Sequence, residues 1–166
     1  AMDGLENAAD RGYEPVIPVL KSIAGDDKIT YDHLRSSAIS RLREVAGENY
    51  QPALSALNNL TTVLERIVRD NRKDDDLRRS ALNGLREAAD KGHKPAVTAL
   101  NDLTDILESL ARDDEIKDYL RVSAIIGLKF TANSGHQPAI DALNNLTANF
   151  ENKIRDDNIK MDLRCS

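Results

Sequence analysis

A chain of 166 residues, 40% of them apolar and 31% charged, suits one folded domain with an unusually large charged surface. Its formal net charge of −5 argues against nucleic acid as the main partner, because phosphate binding needs a positive field. The single cysteine, Cys165, excludes an internal disulfide, and no apolar run is long enough to predict a membrane span. Without a secretion signal at Ala1–Leu5, we expect a cytoplasmic protein.

An internal repeat of 43 residues organises the whole chain. A period of this length predicts a solenoid, in which each unit buries its apolar face against its neighbours. We therefore predict an all-α fold, an α-solenoid of about four αα-hairpin units that forms a single domain over residues 1–166. The repeat is read from Leu34-Arg35, Leu77-Arg78, Leu120-Arg121 and Leu163-Arg164.

The first unit, residues 1–30, is shortened. It begins within a helix, since Ala1–Leu5 aligns with Ala81–Leu85. Its turn proline, Pro15, precedes the next one, Pro52, by 37 residues instead of 43. The second helix of this unit is therefore predicted to be about six residues shorter and to end near Gly25.

Each full unit, at residues 31–73, 74–116 and 117–159, is predicted to contain two helices, A and B. Helix A begins near an acidic residue, and in the middle unit Leu77, Ala81 and Leu85 give it one apolar stripe. Gly or Asn then ends helix A because both tolerate positive φ, and Pro begins helix B. In the middle unit helix B is predicted to run without interruption from Pro95 to Arg112. The predicted starts of helix A are Asp32, Asp75 and Asp118.

Residues 160–166 align with the start of helix A and are predicted to be part of a next helix. Both termini would then carry half of a helix A. Two interpretations follow: the sequence is a piece of a longer array, or the half-helices complete one another between chains. The second interpretation predicts head-to-tail self-association.

Polar residues that recur in every unit are predicted to maintain the stack. Each helix-A arginine follows an aspartate by eight residues, so an Asp–Arg pair would join successive units and satisfy turn amides. The alternative is an arginine ladder that binds phosphate or an acidic peptide. The predicted structural ladder comprises Arg35, Arg78 and Arg121 with Asp27, Asp70 and Asp113, and continues to Asp156 and Arg164.

This combination of features resembles the HEAT repeat family and its armadillo relatives: a Leu-Arg-x-x-Ala-x-x-x-Leu helix A, a short turn, a Pro-initiated helix B, and the recurrent Asp and Arg. The resemblance covers the whole chain. It implies a non-catalytic scaffold that binds a protein or peptide along the B helices, which line the concave face in these families. A minority of such proteins bind DNA, and a few are enzymes.

A second recurrent set, Asn58, Thr61 and Glu65 with their counterparts, lies along one flank of helix B. It predicts either a hydrogen-bond ladder between units or the lining of a polar groove. The segment Ala56–Leu60 also resembles the third armadillo helix, whose asparagine binds peptide backbone. By that resemblance Asn59 and Asn145 are peptide clamps, whereas Asp102, at the middle position, can only accept hydrogen bonds.

Exposed positions of helix B that differ between units are free to make a particular contact. The middle of this flank is acidic and rich in amides, which suits a basic or polar protein segment; the alternative is a merely solvated face. The predicted partner-binding residues are Asn59, Thr62, Arg66, Asp102, Asp105, Ser109, Asn145 and Asn152.

No pattern of residues predicts catalysis, a metal site or a cofactor. His93 and His136 are one unit apart, too distant to share a metal ion. No P-loop, G-x-G-x-x-G or H-E-x-x-H motif occurs. Besides self-assembly, the alternative to a protein-binding scaffold is a nucleic-acid-binding module that uses helix-A cations, namely Arg35, Arg78, Arg121, Arg43, Arg86 and Lys129.

Overall fold

The structure is a computed structural model that describes residues 15–165, with the side chains of 15–153 and 155. Every helix or strand assigned in this range is an α-helix, which confirms the predicted all-α class. The described helices are α1 Val16–Gly25, α2 Asp32–Gly47, α3 Gln51–Arg69, α4 Asp75–Asp90, α5 Lys94–Asp102, α6 Thr104–Arg112, α7 Asp118–Asn133 and α8 Gln137–Cys165.

The helices A begin where the sequence predicts them, at Asp32, Asp75 and Asp118. In α4 the predicted stripe of Leu77, Ala81 and Leu85 is fully buried. The short helix α1 ends at Gly25, as the shorter interval between Pro15 and Pro52 predicts.

Each helix packs against the equivalent helix of the adjacent helix pair. α2 packs against α4 and α4 against α7, while α1 packs against α3, α3 against α5, and α6 against α8. Each helix A also packs against the helix B that precedes it and the one that follows it. The buried side chains form one apolar cluster from Val16 on α1 to Leu146 on α8. The chain thus builds its core between adjacent helix pairs.

The turns between helices A and B use the predicted backbone. Asn49, Gly92 and Gly135 adopt φ values of 65°, 85° and 83°, in the left-handed region. Pro52 and Pro95 lie within the first two positions of the helices that follow. The left-handed turn residues therefore recur every 43 residues, as the starts of helix A do.

Replacing Gly92 by alanine is expected to lower the free energy of unfolding by about 1 kcal/mol, because a Cβ disfavours left-handed backbone. Gly92→Asn is the matched control and should cost less, since Asn49 adopts the same conformation one unit earlier. Urea unfolding followed by circular dichroism measures both variants. An alanine variant as stable as the wild type would contradict this assignment.

Helix B of the middle unit differs from its prediction because it is irregular at Leu103, between α5 and α6. At this position, Arg69 Nη2 from α3 donates a hydrogen bond to the Asp102 carbonyl at 2.9 Å. A side chain that bonds a helix carbonyl competes with the regular backbone ladder, which is a known cause of kinks. Leu103 keeps right-handed helical dihedral angles, and its N–H and C=O still bond the Ala99 carbonyl and the Leu107 N–H. The helix predicted over 95–112 is therefore formed and is irregular at one residue.

The end of the chain also differs from its prediction, since α8 continues through Cys165 and residues 160–165 do not begin a separate helix. The turn after α3 is held by the next helix A, where Arg78 Nε donates to the Val68 carbonyl at 3.2 Å. The corresponding Arg164 lies within α8 itself. The predicted half-helix at residues 1–11 lies outside the described residues.

Candidate partner-binding surface

The exposed flank of the B helices carries all eight predicted contact residues, and every one of them is exposed. On α3, Asn59, Thr62 and Arg66 follow one another at spacings of three and four residues, which places them on one stripe. Equivalent stripes lie on α5 with α6 and on α8. We call this set the B surface; its other members are Asp102, Asp105, Ser109, Asn145 and Asn152.

Beside the first stripe lies a cleft between α1 and α3 with a volume of about 580 Å³, which we call the apolar cleft. Asn59, one of the two predicted clamp asparagines, is among its few polar lining residues. A mostly apolar cleft with a few polar groups is the usual form of a site that binds a side chain. Its lining residues are Pro15, Ile17, Pro18, Lys21, Pro52, Ser55, Ala56 and Asn59.

The recurrent Thr and Glu side chains bond one helical turn away. Thr61 Oγ1 donates to the Asn58 carbonyl at 2.9 Å, and Arg69 Nη2 contacts Glu65 Oε1 at 2.9 Å. The same contacts recur one unit on in Thr104 with Asn101 and Arg112 with Glu108. The side-chain Oδ1 atoms of Asn58 and Asn101 are buried without a hydrogen-bond partner, so the predicted ladder between units is not formed by these residues.

The helix-A arginines stabilise the end of the preceding helix B. Arg35 is 1% exposed, and its Nε and Nη2 both donate to the Ala24 carbonyl at 3.2 Å. Its Nη2 also lies 3.3 Å from Asp27 Oδ1, so the predicted Arg35–Asp27 pair is formed. Arg78 bonds the equivalent carbonyl, that of Val68. Helix C-termini leave carbonyls without backbone partners, and these arginines satisfy them.

The predicted Asp70–Arg78 and Asp113–Arg121 pairs are not formed. Asp70 pairs with Arg72 at 2.8 Å instead of with Arg78. Arg121 lies 3.3 Å from Asp114 and 3.5 Å from Asp118, and does not pair with Asp113. The side chain of Asp156 lies outside the described residues.

The aspartates are held by their own turns, which explains this difference. Asp70 Oδ1 accepts a hydrogen bond from the backbone N–H of Arg72 at 3.1 Å, and Asp113 Oδ1 accepts one from Glu115 at 2.9 Å. Such a bond to the amide two residues on is an Asx turn, which directs the carboxylate away from the next helix A. The hydrogen bonds from the Arg72 side chain and N–H also lower the pKa of Asp70 to about 2. Asp70 and Asp113 thus satisfy turn amides, as predicted, but they do not pair with the helix-A arginines.

Burial limits the cations available to the alternative nucleic-acid function. Arg35 and Arg78 are 1% and 6% exposed and bond helix carbonyls, so their guanidinium groups do not face solvent. Burial also lowers the pKa of Arg78. Lys129 is exposed, and Arg43 and Arg86 are partly exposed. These three cations lie on different helices.

Within the described residues, no three His, Cys, Asp or Glu side chains are grouped so that they could hold a metal ion. In the same part of the chain, no helix is both long and apolar enough to cross a membrane. Comparison with protein-family models, curated proteins and solved structures finds no match.

Two features of the surface were missed by the sequence reasoning. The apolar cleft depends on the packing of α1 against α3, and no sequence motif predicts that packing. The second feature is a group of cations at the end of α3, Arg69, Arg72 and Lys73, beside the predicted Arg66. Their closeness in sequence, within an acidic chain, was a signal that could have identified them.

Proposed function

We propose that this chain is a non-catalytic α-solenoid of HEAT-like or armadillo-like repeats that binds a protein segment along the B surface. The observation that carries this proposal is that all eight residues, selected by variation between units or by resemblance to the armadillo asparagine, are exposed on successive B helices. The apolar cleft beside Asn59 adds a place for an apolar side chain of the partner.

Each part of the B surface suits one part of an extended peptide. The carboxamides of Asn59 and Asn145 can bond both the N–H and the C=O of its backbone. The apolar cleft would exclude water from one of its side chains, which gives selectivity. At Asp102 the side chain can only accept, so this position selects a backbone N–H or a basic group.

Changing Asn59, Asp102 and Asn145 together to alanine is expected to reduce partner binding at least tenfold, since each lost hydrogen bond contributes about 1 kcal/mol. The measurement is a quantitative pull-down in which mass spectrometry compares every protein recovered by the wild type and the variant. The matched control changes three exposed helix-A residues, Glu44, Asp90 and Asn133, to alanine.

The control variant should recover the same partner as the wild type. Equal recovery by the Asn59, Asp102 and Asn145 variant would count against the B surface, and loss in the control alone would move the site to the A helices. Circular dichroism melting ensures that both variants are folded.

A second candidate function is self-assembly through α7, and exposed apolar residues favour it. Val122 and Ile126 are 53% and 40% exposed on α7. The equivalent positions on α2, Ser36 and Ser40, both contact Ser80 of the next helix A, at 2.9 and 3.0 Å. The face of α7 that carries Val122 and Ile126 thus continues an interface that occurs twice within the chain.

Hydrogen bonds that recur at the starts of the A helices also support self-assembly through α7. Asp32 Oδ2 accepts a hydrogen bond from the Asp74 N–H at 3.3 Å, and Asp75 Oδ2 accepts one from the Lys117 N–H at 2.9 Å. Asp118 occupies the third equivalent position, where its side chain is 93% exposed. We propose that a helix A from a second copy of this chain covers this edge.

Changing Val122 and Ile126 to glutamate is expected to abolish this association, because two charges would be buried at the contact. Sedimentation velocity over a hundredfold range of concentration measures it, with Val19→Glu as a control at an exposed valine on α1. A wild-type protein that stays monomeric across the range would rule out self-assembly.

A further inference from the structure

A second cleft, which we call the cationic cleft, lies at the C-terminal end of α3 and has a volume of about 510 Å³. At this end of α3, Arg66 contacts Asp27 in the turn after α1, since α1 has 10 residues whereas α3 has 19. The lining residues of the cleft are Asp27, Arg35, Arg66, Ile67, Arg69, Asp70, Arg72 and Lys73.

Cationic side chains predominate among the residues that line this cleft, although the chain as a whole is acidic. Besides the buried Arg35, they are Arg66, Arg69, Arg72 and Lys73, against the carboxylates of Asp27 and Asp70. Arg69 and Lys73 also pair with Glu65 and Asp32. Arg66 and Arg72 are 58% and 85% exposed, and they pair with Asp27 at 2.6 Å and with Asp70 at 2.8 Å. A guanidinium has five N–H donors, so neither arginine is saturated by these contacts. Exposed ion pairs of this kind contribute little, and an incoming carboxylate can share or replace them.

The behaviour of Asp70 is consistent with a site that favours carboxylates. Hydrogen bonds from the side chain and backbone of Arg72 hold its pKa at about 2, well below the ordinary value. The Coulomb field of Arg72 and Lys73 acts in the same direction. Asp70 itself is therefore kept ionised at the rim of this cleft.

The charge is specific to this unit. One unit on, the positions of Arg66, Arg72 and Lys73 are taken by residues without positive charge, and the equivalent cleft of about 410 Å³ contains three acidic residues and one arginine. Residues that only maintain the stack would recur, whereas these do not. The replacements are Ser109, Glu115 and Ile116, and the acidic cleft is lined by Asp105, Glu108, Ser109, Arg112 and Asp113.

The apolar and cationic clefts lie on the same stripe of α3. Asn59 lines the first and Arg66 the second, with Thr62 exposed between them. Seven residues of an α-helix span about 10 Å. An extended peptide covers that distance in about three residues.

We infer that the partner segment places an acidic side chain in the cationic cleft and an apolar side chain, about three residues away, in the apolar cleft. This inference rests on the proposed function and names the chemistry of the partner at one end of the B surface. It differs from the expectation of a uniformly basic or polar partner, because the charge of the surface reverses between α3 and α6.

The probe is a synthetic hexapeptide with blocked ends, Gly-Leu-Ser-Ser-Glu-Gly, titrated into the ¹⁵N-labelled protein. Two matched peptides carry Gln or Lys in place of Glu. We expect the Glu peptide to shift the amide resonances of residues 59–73 and to bind about fivefold more tightly than the Gln peptide, as for an exposed ion pair. The Lys peptide should bind more weakly than both.

The variant Arg66→Gln with Arg72→Gln should remove the preference for Glu over Gln. Lys94→Gln with Lys129→Gln changes the net charge equally at exposed cations outside the cleft and should retain the preference. Equal binding of the Glu, Gln and Lys peptides would overturn the inference, as would shifts confined to residues outside 59–73. Tighter, salt-sensitive binding of oligothymidylate would also overturn it, since the cleft would then be a nucleic-acid site.

Failure of this inference is distinguishable from failure of the proposed function. If the Asn59, Asp102 and Asn145 variant loses the partner while the Arg66 and Arg72 variant keeps it, the acidic contact is refuted and the B surface stands. If neither variant changes partner recovery, the proposed function fails as well.

Discussion

Replacing Arg35 by methionine is expected to lower the free energy of unfolding by about 3 kcal/mol. The guanidinium is buried and donates two hydrogen bonds to the Ala24 carbonyl, with a further contact to Asp27. Methionine fills much of the same volume but cannot donate, so a buried carbonyl at the end of α1 loses its partner. Urea unfolding at neutral pH measures the loss.

Arg121→Met is the matched control, since Arg121 is 25% exposed and, among the residues whose side chains are described, pairs with the carboxylates of Asp114 and Asp118. Its removal should cost about 1 kcal/mol or less. Equal losses for the two variants would show that capping of the preceding helix is not what Arg35 contributes.

Replacing Gly84 by leucine is also expected to cost about 3 kcal/mol or more. A Cβ built at Gly84 would lie 3.3 Å from both Ile39 and Leu64 and 3.6 Å from Leu57. Three buried side chains from α2 and α3 therefore already occupy the space that a larger residue needs, and overpacking forces them from their rotamers. Thermal unfolding followed by circular dichroism gives the change.

Gly47→Leu is the control, because the nearest atom to a Cβ at Gly47 belongs to the half-buried Glu87 at 3.7 Å. This variant should change stability by less than about 1 kcal/mol. Gly84→Ala should also be nearly neutral, since its gain in helix propensity of about 1 kcal/mol offsets the tight contact. A leucine variant as stable as the wild type would mean that α4 does not approach α2 and α3 so closely.

The helices and turns could be predicted because their causes are local. The acidic first turn at Asp75, the left-handed Gly92 and the proline at Pro95 each act through their own backbone. Because these signals recur at the same position in successive units, each unit supports the assignment made in the others.

Features that depend on contacts between elements could not be predicted in the same way. Spacing placed an aspartate eight residues before each arginine, but the Asx turn at Asp70 and the helix carbonyl at Val68 decide what each of them bonds. The irregularity at Leu103 depends on Arg69, which belongs to another helix.

Part of the candidate site could be predicted from sequence and part could not. Exposure of the B-surface residues follows from the helical pattern of α3, so they could be chosen from sequence. The two clefts could not, because they depend on how the residues of α1, α3 and the turns after them pack against one another.

Site-specific photo-crosslinking tests the B surface most directly. Benzoylphenylalanine would replace Thr62 or Asp105 on the B helices, or Glu44 or Asn133 on the A helices, all of which are exposed. We predict that both B positions crosslink to the same partner protein, identified by mass spectrometry, and that the A positions do not. Crosslinks to that partner from the A positions alone, or in equal yield from all four, would contradict the proposal.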